Sequence, residues 1–254
     1  MRSFIAFTKK EFIEQIRSYK ILILLVIFFV FGMISPLLAK ILPDIISSMD
    51  MQGMEIIIPK PTYIDGYTQF FSNINQMGIM ILLLVFSGIV QHEISKGTLI
   101  NILSKGLDRY KVILAKFLSV SITWTMAFLI SAITNYLYIR YLFKGICNKE
   151  IVISLIMLWI FGIFVLSIVI FSSTITNGNY GGLLLSASIL GILLIIDMIP
   201  KSYKYNPIAL ASKGMDIIKN TLEISSMYLS MGITVLSTII LIISTIIIFN
   251  NKKM

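Results

Sequence analysis

Apolar residues run almost without interruption through residues 21–42, 71–90, 112–138, 151–171, 181–198 and 228–249. Each run is near the roughly 18 to 20 residues that a helix needs to cross a hydrocarbon layer of about 30 Å. The pattern therefore predicts an all-α polytopic membrane protein with six transmembrane helices. Pro36 is expected to kink the first span near its far end. Residues 43–70 hold three prolines and several acids, which reads as a loop outside the bilayer. The third run is long enough to tilt or to project beyond the lipid, and "STITNGNYGG" supplies a tight turn before the fifth.

The polar segments between these runs carry their own periodicity. Residues 1–20 read as an interfacial helix: Phe4, Ile5, Phe12, Ile13 and Ile16 can share one face, leaving Lys9, Lys10, Glu14 and Arg17 towards water. Such a helix lies along a membrane surface, its basic residues favouring anionic headgroups. Residues 201–226 form a second polar connection, expected as a re-entrant or interfacial segment at the outer face. Within it, "NPIALASKGMDIIKNTL" places Pro207 near a helix start and aligns Ile208, Met215, Ile217, Ile218 and Leu222. The most unusual segment is "QHEISKGTLINILSKGLDRYKVILAKF", residues 91–117, basic and polar between two spans. Residues 93–105 fit one amphipathic helix with Ile94, Leu99, Ile102 and Leu103 to one side. Gly106 suits a left-handed stop, and Asp108 a cap for the next helix.

Composition strengthens this picture. The 254 residues are 57% hydrophobic and only 13% charged, with mean hydropathy +0.93, against about 25% charged residues in soluble domains. The net charge of +9 is explained by basic loops on one side of a membrane, so nucleic acid is not an expected partner. The single Cys147 excludes an internal disulfide, and the single His92 leaves no basis for a histidine-built metal site. The first apolar run has no small-residue cleavage site after it and reads as a retained span. With the termini inside, twelve of the 21 Lys and Arg fall on inner segments, concentrated at the first span and the chain ends. Both termini and residues 91–117 are thus expected to be cytoplasmic, in a plasma-membrane protein.

Residues 67–117 also carry a resemblance. The stretch resembles the second-span region of ABC-2-type ABC transporter permeases, in which a glutamate, "KGT", a hydrophobic-rich stretch and a "K-x-L-x-R" turn follow the span. The matching positions are Glu93, Lys96, Gly97, Thr98, Leu103, Lys105, Leu107, Arg109 and Lys116, with Asp108 where a serine is frequent. In architecture the likeness extends over the whole chain, 1–254, as a single permease domain. The resemblance implies that residues 93–105 are a coupling helix docking on a separate ABC ATPase, with Glu93, Lys96, Gly97, Thr98, Asn101, Lys105 and Arg109 as the coupling residues. It further implies two ATPase copies, which use ATP and Mg, and a second permease copy or a homologous permease. An amphipathic helix suits that task, because apolar anchors seat in a groove while a polar rim fixes orientation.

Other chemistry is missing from the sequence. No G-x-x-x-x-G-K-[ST] loop occurs, so the chain is not expected to cradle nucleotide phosphates or to be an enzyme, and it requires no cofactor of its own. Polar residues within the spans are few and mild. Thr123 and Asn135 are the candidates for a pathway or an interhelical contact, and Asn135 suits an interhelical hydrogen bond better than a substrate contact. No row of buried carboxylates marks an ion-coupled carrier. The reading that follows is an ATP-driven exporter of an apolar or amphipathic cargo, such as a peptide, drug or lipid. The alternatives are a non-transporting ABC complex that drives signalling or maturation, and an ion-coupled secondary carrier.

Overall fold

The computed structural model describes residues 2–48, 60–104, 106–145, 148–178, 180–200 and 202–252. All regular structure among them is helical. Among the described residues, five helices are long and apolar enough to cross a membrane, and a sixth apolar helix is shorter. The protein is an all-α polytopic bundle.

Helix α1, Arg2–Arg17, lies ahead of the bundle and turns into α2, Lys20–Ser48, through Tyr19. Tyr19 adopts a left-handed backbone, φ 58°, a conformation uncommon outside glycine that makes the elbow sharp. Helix α2 continues through both Pro36 and Pro43. It therefore runs beyond the expected loop boundary at residue 43. Proline removes one backbone donor, which neighbouring helices make tolerable inside a membrane bundle. Within residues 43–70, only 49–59 lie outside the described structure.

The second span also begins earlier than its apolar run. Helix α3, Tyr63–Asn73, starts where the carboxylate of Asp65 accepts hydrogen bonds from the backbone N–H and the hydroxyl of Thr62, both at 2.8 Å. This is the reciprocal cap that a Thr-x-x-Asp spacing encodes. Aromatic residues make its apolar face, with Tyr67, Phe70 and Phe71 buried. One π turn, Ile74–Gly78, follows, then α4, Ile79–Phe86. Residues 87–90 leave the helix as a turn.

Helix α7, Arg109–Phe143, is the longest and packs along α2, α1 and α8, Lys149–Ile175. Gly32 allows the closest approach of α2: a Cβ there would sit 2.6 Å from the Ser131 carbonyl. Trp124 fills the corresponding notch on α8, where any side chain at Gly162 would collide with it. Its indole N–H donates to the Trp159 carbonyl at 3.1 Å, and that of Trp159 to the Thr125 hydroxyl at 3.0 Å. Helix α9, Gly181–Asp197, and α12, Tyr228–Asn251, complete the bundle against α8.

Between α9 and α12 the chain forms not one amphipathic helix but short turns, including α10, Ala209–Ser212, and α11, Gly214–Ile218. Gly214 lies against Phe71, which leaves no room for a side chain. The turns bury Ile208, Leu210 and Ile217. Neutral hydrogen bonds fix them: Ser154 donates to the Gly214 carbonyl at 2.9 Å and Asn75, from the π turn, to the Ala211 carbonyl at 2.7 Å. The segment is a plug in one end of the bundle. Helix α1 and the last described turn of α12 lie at the opposite end. There the Arg109 Nη1 is within 3.1 Å of the carbonyls of Phe249, Asn250 and Lys252, and Lys252 Nζ donates to the Thr174 carbonyl at 2.7 Å. Two helix C-termini are thereby capped by cations.

Candidate functional site

The 91–117 segment departs from a single helix. Helix α5, Gln91–Ser95, stops at Gly97, whose φ is +67°, and α6, Thr98–Leu103, follows. The break has a local cause. A left-handed residue ends the i→i−4 ladder, and glycine adopts it without a Cβ clash. Gly106 is left-handed as well, at φ +87°, as its position suggests. Asp108 occupies the cap position of α7, but its carboxylate pairs with Lys111 and not with a backbone N–H. Leu99 is fully buried and Leu103 packs on the core, whereas Lys96 and Thr98 are exposed. Thr98 donates to the Glu93 carbonyl at 3.2 Å. The side chain of Asn101, and Lys105 altogether, lie outside the described residues. Gly97 has nothing within 4 Å of its missing Cβ, so this corner faces open space.

Glu93 points the other way. It is 4% exposed and forms ion pairs with Lys10 of α1 and with Lys116 of α7, the latter at 3.0 Å. Lys116, itself 1% exposed, also pairs with Glu11 of α1 at 2.9 Å. Lys10 reaches Glu11 at 3.1 Å and Glu14 at 2.6 Å. Partial burial works against the Lys10 charge, but its hydrogen bonds to Glu14 and Glu93 prevail and hold its pKa above the usual lysine value. The carboxylates of Glu11, Glu14 and Glu93 lie within 4.8 Å of one another. Lysine ammonium groups stand between them, which makes the cluster an ion network and not a cation cradle.

Below it a neutral ladder continues between α1 and α7. Gln15 donates to the Ser119 hydroxyl at 3.0 Å and accepts from Thr123 at 2.8 Å. Thr123, a pathway candidate by sequence, thus serves an interhelical bond. Asn135 does not: its amide is 1% exposed and has no hydrogen-bond partner among the described residues. Arg109, a coupling candidate by sequence, is turned onto the last carbonyls of α12. The base of α5 is held from a third side, since the backbone N–H groups of Val90 and Gln91 both donate to the Ser173 hydroxyl of α8, at 3.1 and 3.2 Å.

Helical periodicity therefore reads α1 incompletely. Ile5, Ile13 and Ile16 are exposed, a face fit for lipid, but the inward face is Phe7, Glu11 and Gln15. Their i, i+4, i+8 spacing was available in the sequence. Nothing in it shows that a buried lysine waits on α7, because Lys116 lies in an otherwise apolar run.

Residues 5–254 match the family described as ABC-2 family transporter protein. The chain belongs to that family. An ABC-2 permease lacks ATPase activity and works with an ABC ATPase. This permease is also similar to the uncharacterized transmembrane protein YxlG of Bacillus subtilis (strain 168), with 25% identity over 177 residues, 69% of each chain.

Proposed function

We propose that this permease is the membrane subunit of an ATP-driven exporter and that residues 91–103 are its ATPase-docking element. The observation that carries the reading is the Lys10–Glu11–Glu93–Lys116 network, buried at Glu11, Glu93 and Lys116, which ties the docking element at once to α1 and to α7. A push on the exposed Lys96–Thr98 corner would be delivered directly to a 35-residue helix. Both termini and this corner lie on the cytoplasmic side in the proposal. Two permeases, identical or homologous, pair with two ATPases, which bind ATP and Mg.

Cargo is apolar or amphipathic, moved outward, with an amphipathic peptide the first candidate. An apolar cavity of about 430 Å³ supports that class; it lies between the π turn, α8, α9 and the plug, lined by Asn75, Ile79, Phe161 and Leu190 among others. Buried ionisable groups would otherwise favour an ion-coupled carrier. Here they neutralise one another at the end of the bundle, beside the chain termini, and they join helices instead of lining a path.

The test is Gly97→Trp, measured by co-purification with the ATPase, ATP hydrolysis and export on the same preparation. Expected is normal expression with ATPase retention and export both reduced about tenfold or more, the scale of losing one interface hot spot. Gly97→Asn, which tolerates a left-handed backbone, separates backbone strain from bulk and should retain most of the activity. Wild-type export by Gly97→Trp sinks the docking assignment. ATP hydrolysis that persists without cargo movement would instead favour a mechanical, non-transporting complex.

A further inference from the structure

A cleft of about 340 Å³ opens beside the ion network, between the α1–α2 elbow, the turn at residues 87–90, the first residues of α5 and the start of α9. Its polar wall holds Glu14 and Lys20, its apolar wall Val85 and Ile89, and Tyr180 stands at the rim. Glu11, Glu93 and Lys116 reach the same cleft but are committed to one another. Lys20 is different: it forms no direct ion pair among the described residues, although it lies close enough to Glu14 and Lys116 to feel both charges. The lining sets three carboxylates against Lys20 and Lys116, and Lys10, which pairs with all three carboxylates from outside the lining, brings the group to neutrality with its charges separated. Glu14 is half-exposed and shares Lys10 with two other carboxylates.

A site of this kind suits a zwitterion on an apolar stem. The setting supplies one. The outward face of α1 exposes Ile5, Ile13 and Ile16, and exposed Tyr19 and Tyr180 flank the elbow, which are the features of a segment at the headgroup level of a bilayer. We propose that the cleft binds one phospholipid with an amine-bearing, zwitterionic headgroup. Lys20 takes the phosphate, Glu14 the ammonium, and Val85 and Ile89 the glycerol and first methylenes. A lipid seated there touches the elbow of α1 and the base of the docking element together, so its occupancy bears on how these two parts move. The lipid assignment requires only the membrane location of the chain and holds whether or not residues 91–103 dock an ATPase.

The experiment is native mass spectrometry of the full-length permease, extracted in detergent, delipidated, and titrated with dioleoyl phosphatidylethanolamine, phosphatidylglycerol or phosphatidylcholine. One phosphatidylethanolamine per chain should be retained in preference to the other two. Lys20→Met should weaken its retention about tenfold or more, the value of a charge-assisted hydrogen bond. Lys20→Arg should preserve it, and Glu14→Gln should erase the preference over phosphatidylglycerol. Arg17→Gln, an exposed cation on the same helix, should change nothing. Unaltered retention in Lys20→Met, equal loss in Arg17→Gln, or no preference among the lipids overturns the proposal. So does full displacement by millimolar O-phosphoethanolamine, which would make the site one for a soluble phosphate ester. A Lys20→Met protein that elutes as aggregate is replaced in the comparison by Glu14→Gln, whose loss of headgroup preference is then the deciding result.

Discussion

At the end of the bundle that bears the termini, two lysines and three carboxylates from α1, α5 and α7 share charge among themselves. At the other end Ser154, Asn75 and Asn206 each donate to a backbone carbonyl, at 2.9, 2.7 and 2.8 Å. Both arrangements satisfy buried polar groups, yet they respond differently to displacement. A neutral donor aimed at a single carbonyl loses its partner when a helix slides by an ångström or two. A lysine between three carboxylates exchanges one partner for the next, and its attraction falls only slowly with distance. The contrast suggests a rigid plug end and a charged end able to shift without becoming unsatisfied.

The strongest way to break this comparison is to remove the cation that no water can replace. Lys116→Met leaves Glu11 and Glu93 buried beside a thioether, and stability should fall by about 3–5 kcal/mol, the cost of orphaning one side of a buried ion pair. Thermal unfolding in detergent, followed by the fluorescence of Trp124 and Trp159, measures it. Combining Lys116→Met with Glu11→Gln and Glu93→Gln should recover much of the loss, because a network without charges needs no counter-ion. Failure to recover would show that Lys116 acts through packing, and the contrast between the two ends would lose its basis.

The plug end should give less. Ser154→Ala removes one neutral hydrogen bond to the Gly214 carbonyl and should cost about 1 kcal/mol. A loss as large as that of Lys116→Met would reverse the ranking. The smallest effect is expected at Arg109→Gln. Its guanidinium caps the carbonyls of residues 249–252, and such caps contribute roughly 0.3–1 kcal/mol. Hydrogen exchange should quicken over the last turn of α12 while the melting temperature barely moves.

Much of this difference was hidden from sequence for a definite reason. Hydropathy locates apolar runs, and it placed α8 and α12 within a few residues of their ends. It cannot distinguish a lysine that snorkels to water from one buried against a carboxylate, so Lys116 read as one more basic residue at a membrane boundary. Glu11 and Gln15 fell in neither the apolar nor the water-facing set assigned to α1 by periodicity. At Thr62–Asp65 the information was present but overruled, since a helix cap was read as part of a proline-rich loop. The motif around Glu93 was legible. The left-handed Gly97 that divides α5 from α6 was not, because an apolar spacing continues across it.

The shortest of the apolar helices has a consequence for the bilayer itself. Gly181–Asp197 has 17 residues and at 1.5 Å each covers about 25 Å, less than a hydrocarbon layer of about 30 Å. Its far end cannot simply climb: Asp197 accepts hydrogen bonds from Ser212 at 2.9 Å and Asn206 at 3.4 Å, which fasten that carboxylate to the plug. If α9 crosses the membrane, lipids along this flank must shorten, and each permease then carries a dimple of compressed membrane beside α9. Two such dimples relax if their flanks meet. Elastic strain in the lipid thus favours association of permeases along this side, and favours it more in thicker membranes.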